Sequence, residues 1–248
     1  DPHIMGISSG ASLGAASTTL IGGSIATGSV LQGLPVAIAA IAGALLTSFI
    51  IIAAGKRLKS AMTLLIFGVM LGFIANAVIT VMQSNSNAES LKIFHSWSAG
   101  SFATTSWKEL LILSTTLSAA VVLSAINHKG LDIILFGDEF AELASISPQK
   151  TRFLALLSCC LITGAVTAFC GPIGFVGITA PHIARGFWKT SVHRTIIPAS
   201  LLCGGTIGVA ADLLSYTGSI PIPISSTMAI AGVPVILYIL VKQTGSEL

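Results

Sequence analysis

Charged residues are scarce in this sequence. They make up 8% of its 248 residues, whereas 53% are hydrophobic, and the mean hydropathy is +0.93. This balance excludes an ordinary soluble domain, in which about a quarter of the residues are charged. The net charge of +3 is small and spread along the chain, which excludes a nucleic-acid-binding surface as well.

The sequence also lacks the motifs of metal, disulfide and nucleotide sites. No Cys-x-x-Cys pair and no Cys/His ligand spacing occurs, so neither a zinc site nor a disulfide framework is expected. No Gly-x-x-x-x-Gly-Lys-(Ser/Thr) occurs, so an ATP-driven process would need its motor on a separate subunit. We therefore expect no cofactor and no enzymatic activity. The four cysteines lie in apolar runs and are interpreted as small buried hydrophobes: Cys159, Cys160, Cys170 and Cys203.

Long uncharged runs separated by glycine and proline predict an all-α, polytopic membrane bundle. Eight membrane helices are expected near residues 4–28, 34–55, 61–83, 109–127, 152–170, 175–187, 194–215 and 225–242. When the loops alternate between the two sides, only Lys92 and Lys108 fall on one side. The other side receives ten of the twelve basic residues: Lys56, Arg57, Lys59, Lys129, Lys150, Arg152, Arg185, Lys189, Arg194 and Lys242. The positive-inside rule then places both termini in the cytoplasm.

One uncharged run, Phe153 to Ala184, has an awkward length for a membrane. Its 32 residues are too many for one span and too few for two. The pair Gly171-Pro172 is expected to end the first helix and leave a short second helix of roughly a dozen residues. Irregular backbone inside a bilayer requires surrounding protein or a wet cavity. Broken helices of this kind are how transporters build their pathways.

Two hydrophilic connections are predicted to contain short helices. Ser84 to Trp107, on the outer side, includes Trp97 and Trp107, which suit the headgroup level. Leu131 to Ile146, on the cytoplasmic side, is predicted to be an amphipathic helix too short to span the membrane. Its acidic polar face favours docking of a protein; the alternative is a helix lying on the membrane surface. Its apolar positions are Phe136, Phe140, Leu143 and Ala144, and its acidic ones are Asp138, Glu139 and Glu142.

Four stretches carry a resemblance to a known family. Asp1 to Ala11 resembles the signature Asp-Pro-x-x-Leu-Gly-(Val/Ile)-Ser-x-Gly-Ala, and Gly137 to Ile146 falls where a Gly-Glu-x-x-Ala-x-x-Leu-Gly segment is usual. Gly171 to Arg185 resembles Gly-x-Ile-x-Phe-(Val/Ile)-Gly-Leu-x-x-Pro-His-x-x-Arg, which is nearly diagnostic. Gly232 to Leu240 resembles the closing Gly-(Ala/Val)-Pro-x-x-x-x-Leu-Leu. By these motifs the chain resembles the FecCD-type permeases, the membrane subunits of ABC importers for iron chelates, haem and vitamin B12.

The resemblance implies a single permease domain over residues 1–248 that lacks the first two of the family's ten helices. It implies a multi-pass protein of the bacterial plasma (inner) membrane with ABC ATPase subunits, an extracytoplasmic substrate-binding protein and a second permease copy, as a homodimer, for partners. Within 131–146, the implied ATPase-coupling residues are Gly137, Asp138, Glu139, Ala141, Glu142, Leu143 and Ile146. The implied short-helix motif is Gly171, Gly174, Gly177, Pro181, His182 and Arg185.

The sequence departs from the family's pattern at several positions. Glu142 stands where an Arg is common, and Ala144-Ser145 stands where Leu-Gly is usual. Tyr216 stands where some members have an Arg that grips the binding protein, and 219–223 differs from the usual Glu-(Leu/Ile)-Pro-(Val/Ile)-Gly. The resemblance therefore supports coupling to an ATPase more directly than docking of a binding protein.

Several residues allow more than one interpretation. Gly6, Ser8 and Gly10 match the nucleophile elbow Gly-x-Ser-x-Gly of an intramembrane protease, but no strand precedes them, and helix packing explains them better. His182 and Arg185 either order the inner mouth or serve as a capping and a snorkelling residue.

Asp212 is the one acidic residue well inside a predicted span. With Tyr216 it marks either the outer mouth of the pathway or a structural hydrogen bond. The alternative function is an ion-coupled secondary transporter, which would want buried acidic residues in mid-membrane.

Overall fold

The structure is a computed structural model that describes residues 5–21, 33–55, 57–58, 61–103, 105–217, 222–230 and 232–234. Within these ranges all regular structure is helical. The helices are α1 (Ile7–Ala16, followed by a π-helical turn at Ser17–Ile21), α2 (Gly33–Gly55), α3 (Ala61–Ser84), α4 (Ala88–Ser98), α5 (Trp107–Ile134), α6 (Asp138–Leu143), α7 (Pro148–Cys170), α8 (Val176–Trp188) and α9 (His193–Ser215). Residues 224–230 and 232–234 are also helical.

The predicted all-α membrane architecture is confirmed. Five of the eight predicted spans have the length and hydropathy to cross a bilayer: Val36–Gly55, Met62–Ser84, Trp107–Ile134, Pro148–Cys170 and His193–Ser215. Helices α1 and α8 contain 10 and 13 residues, fewer than the roughly 20 that a straight crossing needs. The helix in the last predicted span is likewise short over the part that the structure describes.

The chain divides into two compact units. One comprises Pro2–Leu123 together with Phe153–Pro172, and in it α1 packs against α2 and α3. Small residues permit this close approach: a Cβ on Gly6, whose φ is +79°, would lie 2.6 Å from the carbonyl oxygen of Gly68. The core at this junction consists mainly of Ile7, Ala11, Ala15, Ala37, Ala40 and Ala44.

The other unit comprises Ser124–Arg152 and the residues from Ile173 onward. In it α8 and α9 form a helical hairpin, and Gly204 of α9 faces Val176 and Ala180 of α8 at 3.5 and 3.6 Å from its would-be Cβ. Helix α8 begins after Phe175, which adopts a left-handed φ of 69° although it is not glycine. A Cβ on Gly232 would lie 3.0 Å from the Phe175 Cβ, so glycine is the residue that fits there.

The break at Gly171-Pro172 is confirmed, because α7 ends at Cys170 and α8 begins at Val176. The structure likewise contains a short helix, α4, within the Ser84–Trp107 connection. The first predicted helix, 4–28, is α-helical only to Ala16 and then turns π-helical; residues 22–28 lie outside the described ranges.

The prediction of one helix over Leu131–Ile146 was wrong. Helix α5 continues to Ile134, and a separate helix of six residues, α6, follows. Gly130 does not interrupt α5, and glycine suits this position because an added Cβ would lie 2.7 Å from the Oγ1 of Thr151. The chain breaks instead at Gly137, whose φ of 106° favours glycine.

Candidate functional site

The predicted coupling residues surround the short helix α6. Gly137 precedes α6, and Ala141 is fully buried. The amide of Ile146 donates to the carbonyl oxygen of Ala141 over 2.9 Å, which folds the end of the segment back on itself. Glu139, Glu142 and Leu143 are exposed.

Large apolar side chains lie on the surface of this segment. Phe136 and Phe140 are 74% and 53% exposed, and Leu143 is 86% exposed. The two phenyl rings contact each other with centroids 5.6 Å apart. An exposed aromatic cluster with carboxylates beside it is a plausible surface for protein contact, since aromatic residues are enriched at interfaces.

An ion pair holds α6 to the first turn of α7. The two terminal guanidinium nitrogens of Arg152, Nη1 and Nη2, donate to the carboxylate of Asp138 over 2.9 and 2.7 Å. This planar, bidentate arrangement sets the orientation of α6. Because the two side chains are 47% and 48% exposed, its contribution to stability is small. Asp138 is thus engaged within the chain, whereas Glu139 and Glu142 form no ion pair within the described ranges.

A second polar contact joins α5 to α9, and sequence reasoning missed it. The Oδ1 of Asp132 accepts from the backbone amide of His193 at 2.8 Å and from the imidazole Nδ1 at 2.7 Å. The two side chains are more buried than the α6 pair, at 29% and 19% exposed. Neither residue belongs to a motif, and 61 positions separate them. One feature of the sequence could have indicated the contact. The residue before α9 is Val192, whose side chain cannot cap a helix, so a cap from elsewhere in the chain was to be expected.

The break after α7 lies against α4. Gly171 has a φ of +80°, and a Cβ there would lie 2.5 Å from the carbonyl oxygen of Trp97. The amide of Ser101 donates to the carbonyl oxygen of Cys170 over 3.0 Å. The end of the interrupted helix therefore finds its hydrogen-bond partners in protein, as irregular backbone in a membrane requires.

The remaining short-helix residues spread along the segment and α8. Gly174 is buried before the helix, and Gly177 is exposed in its first turn. Pro181 lies inside α8, His182 is half-buried, and Arg185 is exposed in the last turn. The motif residues thus do not converge on one point, and their arrangement is that of a short helix with a polar end.

Asp212 and Tyr216 lie at the end of α9. The Oδ1 of Asp212 is buried and has no hydrogen-bond partner among the residues that the structure describes. Tyr216 ends the helix and is 55% exposed. The Ser215 hydroxyl donates to the carbonyl oxygen of Ile222, which ties the following segment to the helix end.

Ser8 lies in the packed core and not in a cleft. It is 1% exposed, and its Oγ is 3.5 Å from the Oγ1 of Thr167. Its neighbours Gly6 and Gly10 pack against α3 and α2 respectively. This environment supports the packing interpretation of the glycine-serine motif.

Within the described residues, five apolar helices long enough to cross a bilayer and an interrupted helix are typical of a polytopic membrane transport protein. The chain belongs to the FecCD transport family, whose sequence model matches residues 1–242.

Individual relatives are ABC transporter permeases. The chain is 33% identical to the uncharacterized ABC transporter permease protein YvrB of Bacillus subtilis, over 98% of this chain and 69% of that protein. It is 31% identical to the vitamin B12 import system permease protein BtuC of Vibrio cholerae, over 99% of this chain and 73% of that one. It is 27% identical to the hemin transport system permease protein HmuU of Yersinia pestis, over 98% and 73%.

A solved structure shows the same fold. It is a metal-chelate type ABC transporter in an inward-facing conformation, with a TM-score of 0.87 and 23% identity. The likeness covers 98% of this chain and 76% of that one. The family match and the relatives show that this chain is a permease of the ABC transporter class, and the solved structure shows that it shares the fold.

Proposed function

We propose that this chain is the membrane-spanning permease of an ABC importer. It carries an iron chelate (siderophore or haem) or a cobalamin-type substrate into the cytoplasm, and a separate subunit hydrolyses the ATP. The relatives that transport hemin and vitamin B12 support this substrate class. The absence of a P-loop from the sequence supports the separate motor.

The observation that carries the proposal is the surface of 131–146. Its exposed apolar side chains and the exposed carboxylates of Glu139 and Glu142 suit a protein contact, while the buried Ala141 and the Asp138–Arg152 pair fix the segment's position. Closure of the ATPase would push this segment and shift the bundle between outward-open and inward-open states.

The finer topology belongs to the same proposal. Eight membrane helices with both termini cytoplasmic, in the bacterial inner membrane, put 131–146 on the side of the ATPase. A second copy of the permease, as a homodimer, completes the central pathway. Asp212 and Tyr216 then lie at the outer mouth, where a substrate-binding protein docks.

The test is co-purification in mild detergent from the native host. We expect a stoichiometric ABC ATPase with the wild type and its loss in the Glu139→Lys/Glu142→Lys variant, since reversed charge would oppose the contact. The control is Glu89→Lys, which changes an exposed carboxylate on α4. Retention of the ATPase by the double variant would contradict the assigned surface; a well-folded wild type without any ATPase would contradict the importer.

The second candidate is an ion-coupled secondary transporter. It is favoured by the buried Oδ1 of Asp212, which lacks a hydrogen-bond partner within the described residues. An unpaired intramembrane carboxylate is a potential ion or proton site. This function predicts that Asp212→Asn abolishes uptake driven by a proton or sodium gradient in vesicles without ATP, whereas the importer shows no such uptake.

A further inference from the structure

Helix α9 is capped by a residue of another helix. The first amide groups of a helix have no partner within it, and a side chain just before the helix commonly supplies one. Val192 cannot do so, and the carboxylate of Asp132 on α5 accepts from the His193 amide instead. The negative charge also lies at the positive end of the α9 dipole.

The same oxygen of Asp132 holds the His193 side chain. Two donors of one residue, the amide and the imidazole, therefore converge on one carboxylate oxygen at 2.8 and 2.7 Å. Two short bonds to a charged acceptor make a more rigid link than one bond between mobile side chains. The pair is also less exposed than Asp138–Arg152, so solvent weakens it less.

This link connects the proposed ATPase contact to the α8–α9 hairpin. Asp132 lies in the last turn of α5, six residues before Asp138 of α6. His193 begins α9, against which α8 packs closely at Gly204. A displacement of α6 and the end of α5 is therefore passed to α9, and to α8 with it, through a polar contact.

We propose that Asp132 and His193 are positioning residues that transmit movement of the coupling residues 137–146 to the α8–α9 hairpin. This inference rests on the proposed function, because it needs an ATPase to move the segment. The link stabilises α9 in register with the end of α5, so that ATP binding moves the two together. Without this link the ATPase still hydrolyses ATP, but the α8–α9 hairpin no longer moves with the end of α5.

The experiment uses the purified complex of the full chain with its ATPase. The four native cysteines are replaced by alanine, and a fluorophore sensitive to its surroundings is placed on a cysteine at Phe187, which is 78% exposed on α8. ATP with vanadate is the probe, so no transported substrate is required. The fluorescence change of the label and the rate of ATP hydrolysis are measured together.

Asp132→Ala removes both bonds, whereas His193→Ala removes only the imidazole bond. We expect a fluorescence change in the wild type, a smaller one in His193→Ala, and one reduced by at least about fivefold in Asp132→Ala. The hydrolysis rate should stay within about twofold of the wild type in both, which a general folding defect would not allow. The matched control is Glu109→Ala at the other end of α5, where the carboxylate caps its own helix through Ser106.

The outcomes separate the two proposals. A wild type that binds no ATPase contradicts the proposed function and this inference with it. A wild type whose label responds to ATP, together with an equal response in Asp132→Ala, contradicts this inference alone. A wild-type label that does not respond while ATP is hydrolysed also contradicts it, since the hairpin is then not driven. If Asp132→Ala fails to fold, His193→Ala provides the test: a smaller fluorescence change than in the wild type supports the inference, and an equal change contradicts it.

Discussion

The indole Nε1 of Trp97 donates a hydrogen bond to the carbonyl oxygen of Ala168 over 3.3 Å. Ala168 lies in the last turn of α7, where carbonyl groups have no partner inside the helix. Trp97 is near the end of α4, so a helix from a different part of the chain satisfies the end of the interrupted one. The Ser101–Cys170 bond adds a second contact of the same kind.

Trp97→Phe should lower stability, because it keeps an aromatic ring but removes the indole N–H donor and part of the indole's packing surface. The Ala168 carbonyl then loses a part-buried partner, at a cost of about 0.5–1.5 kcal/mol. The measurement is the thermal unfolding midpoint in detergent. The control is Trp107→Phe, at a side chain that is 87% exposed and should tolerate the change. Equal midpoints for the two variants would contradict the role of the hydrogen bond.

Gly171→Ala should destabilise the break more strongly. A left-handed φ costs a non-glycine residue about 1–2 kcal/mol, and the new Cβ would lie 2.5 Å from the Trp97 carbonyl oxygen. Gly205→Ala is the matched control, since nothing lies within 4 Å of its would-be Cβ and alanine favours helix. For both variants, the yield of monodisperse protein and the thermal unfolding midpoint are measured. An unchanged Gly171→Ala variant would show that the chain can relax at this point.

Ser8→Ala should leave both folding and function intact. The substitution removes a contact of 3.5 Å with Thr167 and little volume. Ser8→Leu should cost about 1–3 kcal/mol, because it overpacks a site that is 1% exposed. ATP hydrolysis by the purified complex and the unfolding midpoint are the readouts. Loss of activity in a well-folded Ser8→Ala variant would revive the catalytic interpretation of the serine.

Reversal of the Asp138–Arg152 pair should weaken partner binding more than stability. Each single change, Asp138→Arg or Arg152→Asp, removes an exposed pair worth at most about 1 kcal/mol but releases the orientation of α6. We therefore expect lower affinity for the ATPase with a nearly unchanged unfolding midpoint, and recovery in the double swap. Titration of the ATPase onto the immobilised permease measures this.

Lys150→Asp is the control for the ion-pair series. Lys150 is exposed on the same turn of α7 and forms no ion pair within the described ranges. At high salt the double swap should no longer bind the ATPase more tightly than the single variants do, because exposed charges are screened. Failure of the swap to recover affinity would mean that Asp138 contacts the partner directly.

The sequence correctly predicts the apolar helices long enough to cross a membrane and the break between α7 and α8. Hydropathy is a property of each segment by itself, so it identifies α2, α3, α7 and α9 without tertiary information. The Gly171-Pro172 break was likewise predictable, because glycine and proline act locally on the backbone. Motif likeness also identified the family, which the match over residues 1–242 confirms.

The contacts that depend on distant residues were beyond such reasoning. The predicted helix over 109–127 ends too early: α5 continues to Ile134, and Asn127 on it donates to the Thr151 carbonyl oxygen over 2.9 Å. The Asp132–His193 link was missed for the same reason, since its partners meet only in the folded chain. Asp138 stays a predicted coupling residue, and its bidentate pair with Arg152, 14 positions away, was not foreseen from the sequence.

The shortness of α8 has a consequence for the biogenesis of the protein. At 13 residues α8 is about 20 Å long, whereas the hydrocarbon layer is about 30 Å thick. A segment of this length does not partition stably into lipid when it leaves the ribosome alone. Helix α9 follows after only four residues, and the close packing at Gly204 lets the two enter as one unit. We therefore expect the integration of α8 to wait for the synthesis of α9, so that a nascent chain arrested between them would have α8 outside the bilayer.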